Sequence, residues 1–306
     1  MTRKQRIGAV AIVAMVIGFS AQAAGNDYPT RDLTLVVPFA AGSGTDLMAR
    51  NLVAGLSKKI GRPVTVDNWA GGNGIPASMY VTRAASDGYT LLLGGNTTHS
   101  ANPHLSKDIK YDPERDFTPI ARLATAGVVL VVSAKSNIKS VDDLVNEARL
   151  ASGKLTYGSP NAGSQIAAEL IKKGKGIDII RVPYRVTPQA MTDVIAGNIS
   201  MTFLDVASAL TSVRGGQLRA LAITSESRAQ LMPDVPTFQE LGFRELVFTY
   251  WIGLFGPKDL PKEVVGVLGG AVQQVITDES MQATLRTLGL EPAVSCGHGN
   301  AGVCQD

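Results

Sequence analysis

Apolar strand patterns and helical patterns alternate along almost the whole chain. The short apolar runs typical of strands lie at 33–37, 64–67, 91–93, 128–133, 155–157, 179–182, 200–203, 218–224 and 251–255. The segments with helical spacing lie at 45–59, 76–85, 141–151, 164–173, 188–196, 207–214 and 261–275. Strands that alternate with helices predict parallel sheets covered by helices on both faces, so the expected fold class is α/β.

Small residues fill the loop between strand and helix in the stretches VVPFAAGSGTDLMARNL, VTVDNWAGGNGIPASMYV and LTYGSPNAGSQIAAEL. A helix start presents unpaired N–H groups and a partial positive charge, and glycines let an anion approach the backbone. Ser43, Thr45, Ser159, Asn161 and Ser164 can add side-chain hydrogen bonds. If the first and third loops face each other, they predict a cleft whose simplest ligand is a small dicarboxylate.

Plain helix capping is the other interpretation of these loops. Thr45 and Ser164 are residue types favoured at helix starts, and the glycines would then only turn the chain. Both interpretations stay open for any single loop. The recurrence of the loop within one chain favours ligand binding.

The N-terminus has the features of an export signal. The basic start TRKQR precedes an apolar run at 7–19, and Ala21-Gln22-Ala23 has the small-x-small form of a cleavage site. The run is shorter than the ~20 apolar residues that a membrane-spanning helix needs. We therefore expect residues 1–23 to be a cleaved signal peptide.

Charge and length narrow the class of protein further. The formal net charge is +3, and without the basic residues Arg3, Lys4 and Arg6 of the signal it falls to zero. No basic surface for nucleic acid or an anionic membrane is therefore expected. The 306 residues exceed what one compact core usually serves, so we expect two lobes. Cys296 and Cys304 can close only a small terminal loop.

An enzyme is the alternative from another functional class. Ser43 lies in a Gly-Ser-Gly, but nothing marks His99, His104 or His298 as its base. AAGSGTD lacks the Gly-Lys-Ser/Thr of a phosphate-binding loop. His99 and His104 have no third metal ligand nearby. We therefore expect no catalytic residue, no metal and no cofactor.

A series of blocks runs in the order YPTRDLTLVVPFAAGSGTD, VDNWAGGNGIPA, DGYTLLLGG, YDPERDFTPIA, VPYR, DVASAL, LRALAIT and PDVPTFQELG. In this order, over about 28–292, the chain resembles the periplasmic solute receptors of the tripartite tricarboxylate transporter system, the Bug family. The resemblance implies a type II-like, two-lobed periplasmic binding fold with parallel or mixed sheets. It also implies crossover strands near 128–132 and 251–255. Lobe 1 would then be 27–130 plus 250–306, and lobe 2 would be 131–249.

The same resemblance implies a function in the periplasm. Such receptors close around a carboxylated metabolite, here a di- or tricarboxylate, an aromatic carboxylate or an acidic amino acid, and deliver it to a membrane permease. We expect a monomer. A receptor of an ABC transporter and a sensing partner of a two-component system share the fold and remain alternatives.

The site residues follow from matching the family's motifs to this sequence. The lobe-1 cradle would be formed by Phe39, Ala41, Gly42, Ser43, Thr45 and Asp46, with Asn96 and Thr97 at its rim. The lobe-2 cradle would be formed by Ser159, Asn161, Gly163 and Ser164, with Tyr184 and Asp205 at the ends of later strands. Asp205 can accept a hydrogen bond from a ligand donor or cap the next helix.

Three features depart from the family's pattern. Arg185-Val186 stands where the family commonly has Lys-Gly, so Arg185 either binds a ligand carboxylate as a fork or is solvated. Trp69 stands where the family often has Arg-Pro, and either stacks on an aromatic ligand or packs. Residues 293–306 lack the usual apolar period, which is the pattern expected of a frameshift or truncation.

Overall fold

The computed structural model describes residues 28–107 and 109–296, which form two β-sheets covered by helices. The first sheet contains β1 (Leu33–Val37), β2 (Val64–Asn68), β3 (Thr90–Gly95), β4 (Phe117–Ala126), β10 (Tyr250–Pro257) and β11 (Glu291–Cys296), in the order β11-β4-β10-β3-β1-β2. The second contains β5 (Val128–Ser133), β6 (Thr156–Ser159), β7 (Ile180–Pro183), β8 (Met201–Asp205) and β9 (Leu218–Ile223), in the order β7-β6-β8-β5-β9.

The α-helices of the described residues are α1 (Gly44–Ile60), α2 (Ile75–Thr82), α3 (Asn102–Leu105), α4 (Val141–Leu150), α5 (Ala162–Lys175), α6 (Thr187–Ala196), α7 (Val206–Arg214), α8 (Lys262–Ile276) and α9 (Glu279–Thr287). A π-helical turn, Asn96–Ala101, leads into α3. Within the described part of the chain, no helix combines the length and the apolar character that crossing a membrane requires.

Each sheet buries apolar side chains on both faces, because neighbouring residues of a strand point to opposite sides. In β1, Leu35 packs with α1, α8 and α9, whereas Val36 packs with α2 on the opposite face. In β5, Leu130 packs with α4 and α5, whereas Val131 packs with α6 and α7. Two helix-covered sheets therefore supply separate apolar cores, as the alternation of patterns predicts.

Strand directions are mixed in both sheets. β1 pairs in parallel with β2 and β3, and β6 pairs in parallel with β7 and β8. β10 is antiparallel to β3 and β4, and β5 is antiparallel to β8 and β9. The prediction of an α/β fold with parallel or mixed sheets is confirmed, with mixed sheets as the outcome.

The chain changes sheets at Gly127, between β4 and β5, and returns between β9 and β10. The strand expected near 128–132 is β5, whose residues all pair within the second sheet. The strand expected near 251–255 is β10, whose residues all pair within the first sheet. The predicted lobe limits, 27–130 plus 250–306 for lobe 1 and 131–249 for lobe 2, stay a prediction. Residues 128–130, which that prediction puts in lobe 1, pair with strands of the second sheet.

The sequence patterns missed β4, β11, α3 and α9. Pro119 and Arg122 interrupt the apolar pattern of β4, and Pro292 interrupts that of β11, so neither looks like a strand on its own. Residues 293–296 of the segment expected to be atypical form the end of β11, which pairs with β4. The predicted signal peptide, residues 297–306 and the Cys296–Cys304 pairing fall outside the described residues and side chains.

Replacing Leu35 by Ala tests the first core. Leu35 is 1% exposed, so removing its three outer side-chain carbons should lower the free energy of unfolding by about 2–5 kcal/mol. Leu150→Ala is the control, because Leu150 is 90% exposed at the end of α4 and should change stability little. Urea unfolding measures both, and equal losses from the two variants would contradict this packing.

Candidate ligand-binding cleft

A cleft lies between the two sheets, at the edge where several parallel strands end. It is lined by residues of both sheets, including β10 of the first sheet, and contains about 760 Å³ of empty space, part of it open to solvent. Open parallel sheets place their ligands at this edge because the loops that follow the strands meet there.

The loop between β1 and α1 is held in place by the buried carboxylate of Asp46. Its Oδ2 accepts hydrogen bonds from Gly42 N at 2.8 Å and Arg50 Nε at 2.9 Å, and its Oδ1 accepts one from Asn68 Nδ2 at 2.9 Å. Burial acts to raise the pKa of Asp46, but these hydrogen bonds together lower it below its ordinary value. Asp46, which lies outside the cleft lining, therefore fixes the conformation of this loop.

Ser43 caps the start of α1, and its hydroxyl accepts a hydrogen bond from Asp46 N at 3.3 Å. Ser43 and Thr45 also line the cleft, so the first turn of this helix opens onto it. The N–H groups of a first turn have no partner within their own helix. Capping and ligand contact are thus compatible at this position.

The loop between β6 and α5 likewise ends in a polar residue that caps its helix. Asn161 caps α5 by accepting a hydrogen bond from Ser164 N at 3.0 Å, and Ser164 Oγ donates back to Asn161 O at 2.8 Å. Asn161 and Gly163 line the cleft, whereas Ser164 is buried behind them. Ser159 is also buried, and its hydroxyl has no hydrogen-bond partner among the described residues.

The rim after β3 is a π-helical turn, a feature that is frequent at functional sites. Asn96 Oδ1 accepts a hydrogen bond from Trp251 N at 2.6 Å, which ties the rim to β10. Thr98 Oγ1 accepts one from Gly95 N at 3.0 Å and contacts His99 Nδ1 at 2.8 Å. These bonds fix the position of the rim against the strand beside it.

Among the described residues that line the cleft, Asp205 is the one that carries a carboxyl group, and none carries a basic side chain. It caps α7, and its carboxylate accepts hydrogen bonds from Ser208 N and Ser208 Oγ, both at 2.8 Å. Burial raises the pKa of the Asp205 carboxyl above its ordinary value, and the two bonds from Ser208 offset this only in part. A Cβ on Gly44 would lie 2.8 Å from Asp205 Oδ1, so the second sheet touches α1 here.

Of the residues predicted to form the site, the structure brings eight together in the cleft lining: Phe39, Ser43, Thr45, Asn96, Thr97, Asn161, Gly163 and Asp205. The others lie outside the lining: Ala41, Gly42, Asp46, Ser159, Ser164 and Tyr184. Of these, Tyr184 donates a hydrogen bond to Asp193 Oδ2 at 2.6 Å, which raises its pKa to about 12 together with the larger effect of burial. The ligand contacts themselves stay a prediction.

Sequence reasoning missed a group of lining residues that come from inside strands or from the start of α6. They are Gly94, Gly95, Val128, Thr187, Phe203, Leu204, Tyr250 and Ile252, with Trp251 noted only as an apolar surface. Thr98 also lines the cleft, and the sequence placed it with Asn96 and Thr97 at the rim, where it either binds ligand or turns the chain. Tyr250 lies close to Asp205, and burial and that carboxylate both raise the pKa of Tyr250. The signal that could have found Tyr250 is its place at the start of an expected crossover strand.

Three further residues of interest lie beside the cleft. Trp69 stacks on Tyr80 with ring centroids 4.7 Å apart, outside the cleft lining. His99 stacks on Phe255 at 3.9 Å, and burial lowers the pKa of its ring to about 4. Arg185 lines a smaller, adjoining hollow.

Two helix-covered sheets, joined by crossing segments and separated by a cleft, define a solute receptor of the periplasmic binding protein class. The chain belongs to the family described as tripartite tricarboxylate transporter family receptor, whose model matches residues 48–306. The resemblance found in the sequence is thereby confirmed.

Solved structures agree with this family. One from R. palustris, Rpa4515 with adipate, is 32% identical, with a TM-score of 0.84 over 88% of this chain and 91% of that one. MatC (Rpa3494) from Rhodopseudomonas palustris with bound malate is 30% identical, with a TM-score of 0.81 over 86% and 90%. The periplasmic binding protein BugD is 28% identical, with a TM-score of 0.80 over 87% and 89%.

The raised pKa of Asp205 makes its contribution to folding stability depend on pH, and Asp205→Asn tests this dependence. A carboxyl with a raised folded-state pKa holds its proton more tightly in the folded chain, so it contributes stability at low pH that is lost as the pH rises through that pKa. Asn keeps a cap for α7 but does not titrate. The stability of the wild type relative to this variant should therefore fall as the pH rises above the ordinary aspartate pKa of about 3.9.

Asp278→Asn is the matched control, because Asp278 also caps a helix. Its hydrogen bonds from Ser280 and Met281 lower its pKa, so its contribution should instead be present at neutral pH and lost on acidification. Urea unfolding at several pH values measures both trends. The same trend in both variants would show that Asp205 is not in a desolvated environment.

Proposed function

We propose that this chain is a periplasmic receptor that binds a small carboxylate, most simply a dicarboxylate, in the cleft and delivers it to a membrane permease of the tripartite tricarboxylate type. The observation that carries the proposal is that α1 and α5, which follow strands of different sheets, both begin at this one cleft. Their first turns offer N–H donors and partial positive charge to an anion from two sides.

The side chains around the helix starts support the same ligand class. Ser43, Thr45 and Asn161 are small polar residues, and Gly163 leaves the backbone accessible. The related structures with adipate and malate contain dicarboxylates. Ser43 Oγ accepts a hydrogen bond from its own helix, and His99 is occupied with Thr98 and Phe255, so no serine–histidine pair forms among the described residues. This arrangement favours a receptor over a hydrolase.

Binding is proposed to occur by closure of the two lobes. One carboxylate would bind at the start of α1, and rotation about the crossing segments at Gly127 and between β9 and β10 would bring α5 onto the ligand. Closure removes water, which strengthens each charge-assisted hydrogen bond in the cleft. The contact between Asp205 and the first turn of α1 is where the lobes would meet.

A thermal-shift series tests ligand binding directly. Succinate, malate, glutarate, adipate and citrate are added to the purified chain, with the corresponding uncharged diamides or esters as controls. A ligand at a hundred times its dissociation constant adds about 2.7 kcal/mol, which should raise the melting temperature by roughly 5–10 °C. No shift with any carboxylate would overturn the proposed ligand class.

Gly163→Val tests the place of the ligand. Gly163 has a negative φ, and the nearest atom to an added Cβ would be Asn161 Oδ1 at 3.3 Å, so the chain should fold while the new methyl groups enter the cleft. Carboxylate affinity should fall at least about tenfold, or ~1.4 kcal/mol. Gly266→Val in α8, where an added Cβ meets nothing within 4 Å, is the control and should bind normally. Calorimetric titration compares the two variants, and equal affinities would place the ligand elsewhere.

Export and delivery are tested in cells and vesicles. N-terminal sequencing of the periplasmic protein should find a start near Ala24, as the predicted cleavage site requires. Uptake of labelled carboxylate into vesicles that contain the permease should require this receptor. A start at Met1 would contradict the signal peptide, and uptake that requires ATP hydrolysis would favour the alternative of an ABC transporter.

A further inference from the structure

A second hollow adjoins the cleft on the side of β2. On the first-sheet side it is lined by Pro38, Ala40 and the loop from Ala70 to Gly74, and on the second-sheet side by the residues between β7 and α6. It shares Phe39, Ser43 and Thr187 with the cleft. A ligand bound at the start of α1 can therefore extend past Ser43 into this hollow.

Arg185 is the charged side chain among the described residues that line the second hollow. Among the described residues it forms no ion pair, since the salt bridges of the chain involve other arginines and lysines. A guanidinium carries five N–H donors in a fork that matches the two oxygens of a carboxylate. Arg185 thus brings an available, geometrically suited cation to a hollow whose described lining has no acid.

The glycine-rich loop explains how Arg185 can reach across from the second sheet. Gly71 has a φ of +102°, and a Cβ at this position would lie 3.1 Å from Arg185 Nε. Asn73 follows with a φ of +51°. Any larger residue at Gly71 would therefore be strained and would also crowd the guanidinium. This is the third of the small-residue loops, and it does not belong to the helix starts of α1 and α5 at the cleft. Its small residues make room for Arg185.

The two spaces differ in the ionisable groups that line them. Asp205 lines the cleft and Arg185 lines the second hollow, and the two spaces adjoin at Ser43. A second carboxylate on the ligand would be attracted by the Arg185 guanidinium, whereas the described lining of the cleft offers no cation. A ligand with two carboxylates should therefore bind in one orientation, with its second carboxylate at Arg185.

We propose that the second hollow is the subsite for the far carboxylate of a dicarboxylate ligand, and that Arg185 is the side chain that binds it. The inference rests on the proposed function, since it needs a carboxylate bound in the cleft. It makes this receptor selective for diacids over monoacids of the same length. Arg185 is responsible for this selectivity, because the backbone donors of the helix starts are available to diacids and monoacids alike.

The test is a titration of purified variants with matched ligand pairs. Succinate, glutarate, adipate and pimelate are each compared with their monomethyl esters, which keep one carboxylate and the length of the chain. The wild type should bind at least one diacid roughly tenfold or more tightly than its ester, as expected for a charge-assisted bidentate contact. Arg185→Gln should lose that preference while binding the ester as the wild type does. Arg185→Lys should keep part of it, because a lysine retains the charge without the fork.

Arg181→Gln is the matched control. Arg181 is an exposed arginine on β7 of the same sheet and lies outside both spaces. This variant should retain the full preference for the diacid. A preference that survives in Arg185→Gln, or that is lost equally in Arg181→Gln, would overturn the subsite.

The outcomes separate the subsite from the function on which it rests. A wild type that binds a diacid and its ester equally well would overturn the subsite and leave a carboxylate receptor. A wild type that binds none of these acids or esters would overturn the proposed function, and the subsite with it. Melting curves of Arg185→Gln without ligand should match those of the wild type, because the side chain is exposed; a large drop would indicate a structural role instead.

Discussion

The parallel pairing of strands is the constraint on which the binding geometry depends. β1, β2 and β3 run in one direction, as do β6, β7 and β8, so the loops that follow them collect at one edge of each sheet. The cleft lies between these two edges, and α1 and α5 begin there with unpaired N–H groups. Were the strands of either sheet antiparallel neighbours joined by hairpins, these helix starts would not converge.

Two aspartates at helix starts illustrate how position decides the role of one residue type. Asp46 lies behind its loop and receives hydrogen bonds from three other residues, which lower its pKa and make it a scaffold for the cradle. Asp205 lies in the cleft with hydrogen bonds from Ser208 alone, and burial raises its pKa. Both carboxyl groups occupy first-turn or capping positions of a helix, but of the two only Asp205 lines the cleft. The number of donors around each group accounts for the difference.

Much of the fold could be predicted because buried strands and amphipathic helices leave local patterns. The strand at 33–37 and that at 128–133 have the bounds expected, and the long helices differ from the expected bounds only at their ends. β4 and β11 could not be found this way. Their prolines and Arg122 break the local pattern. β4 pairs with β10 and β11, which are both distant from it in sequence, so only the assembled sheet reveals β4 and β11.

The candidate site, like the fold, could be predicted from the sequence only in part. The sequence by itself determined the α/β class, the family and the small-residue loops at the starts of α1 and α5, because strand pattern, glycine and capping residues act over a few positions. Only the tertiary structure decided that Tyr250 and Thr187 line the cleft, that Asp46 and Ser164 lie behind it, and that Arg185 meets Gly71 across the two sheets. These are contacts between segments far apart in the chain, and they are fixed by how two separately packed sheets face each other.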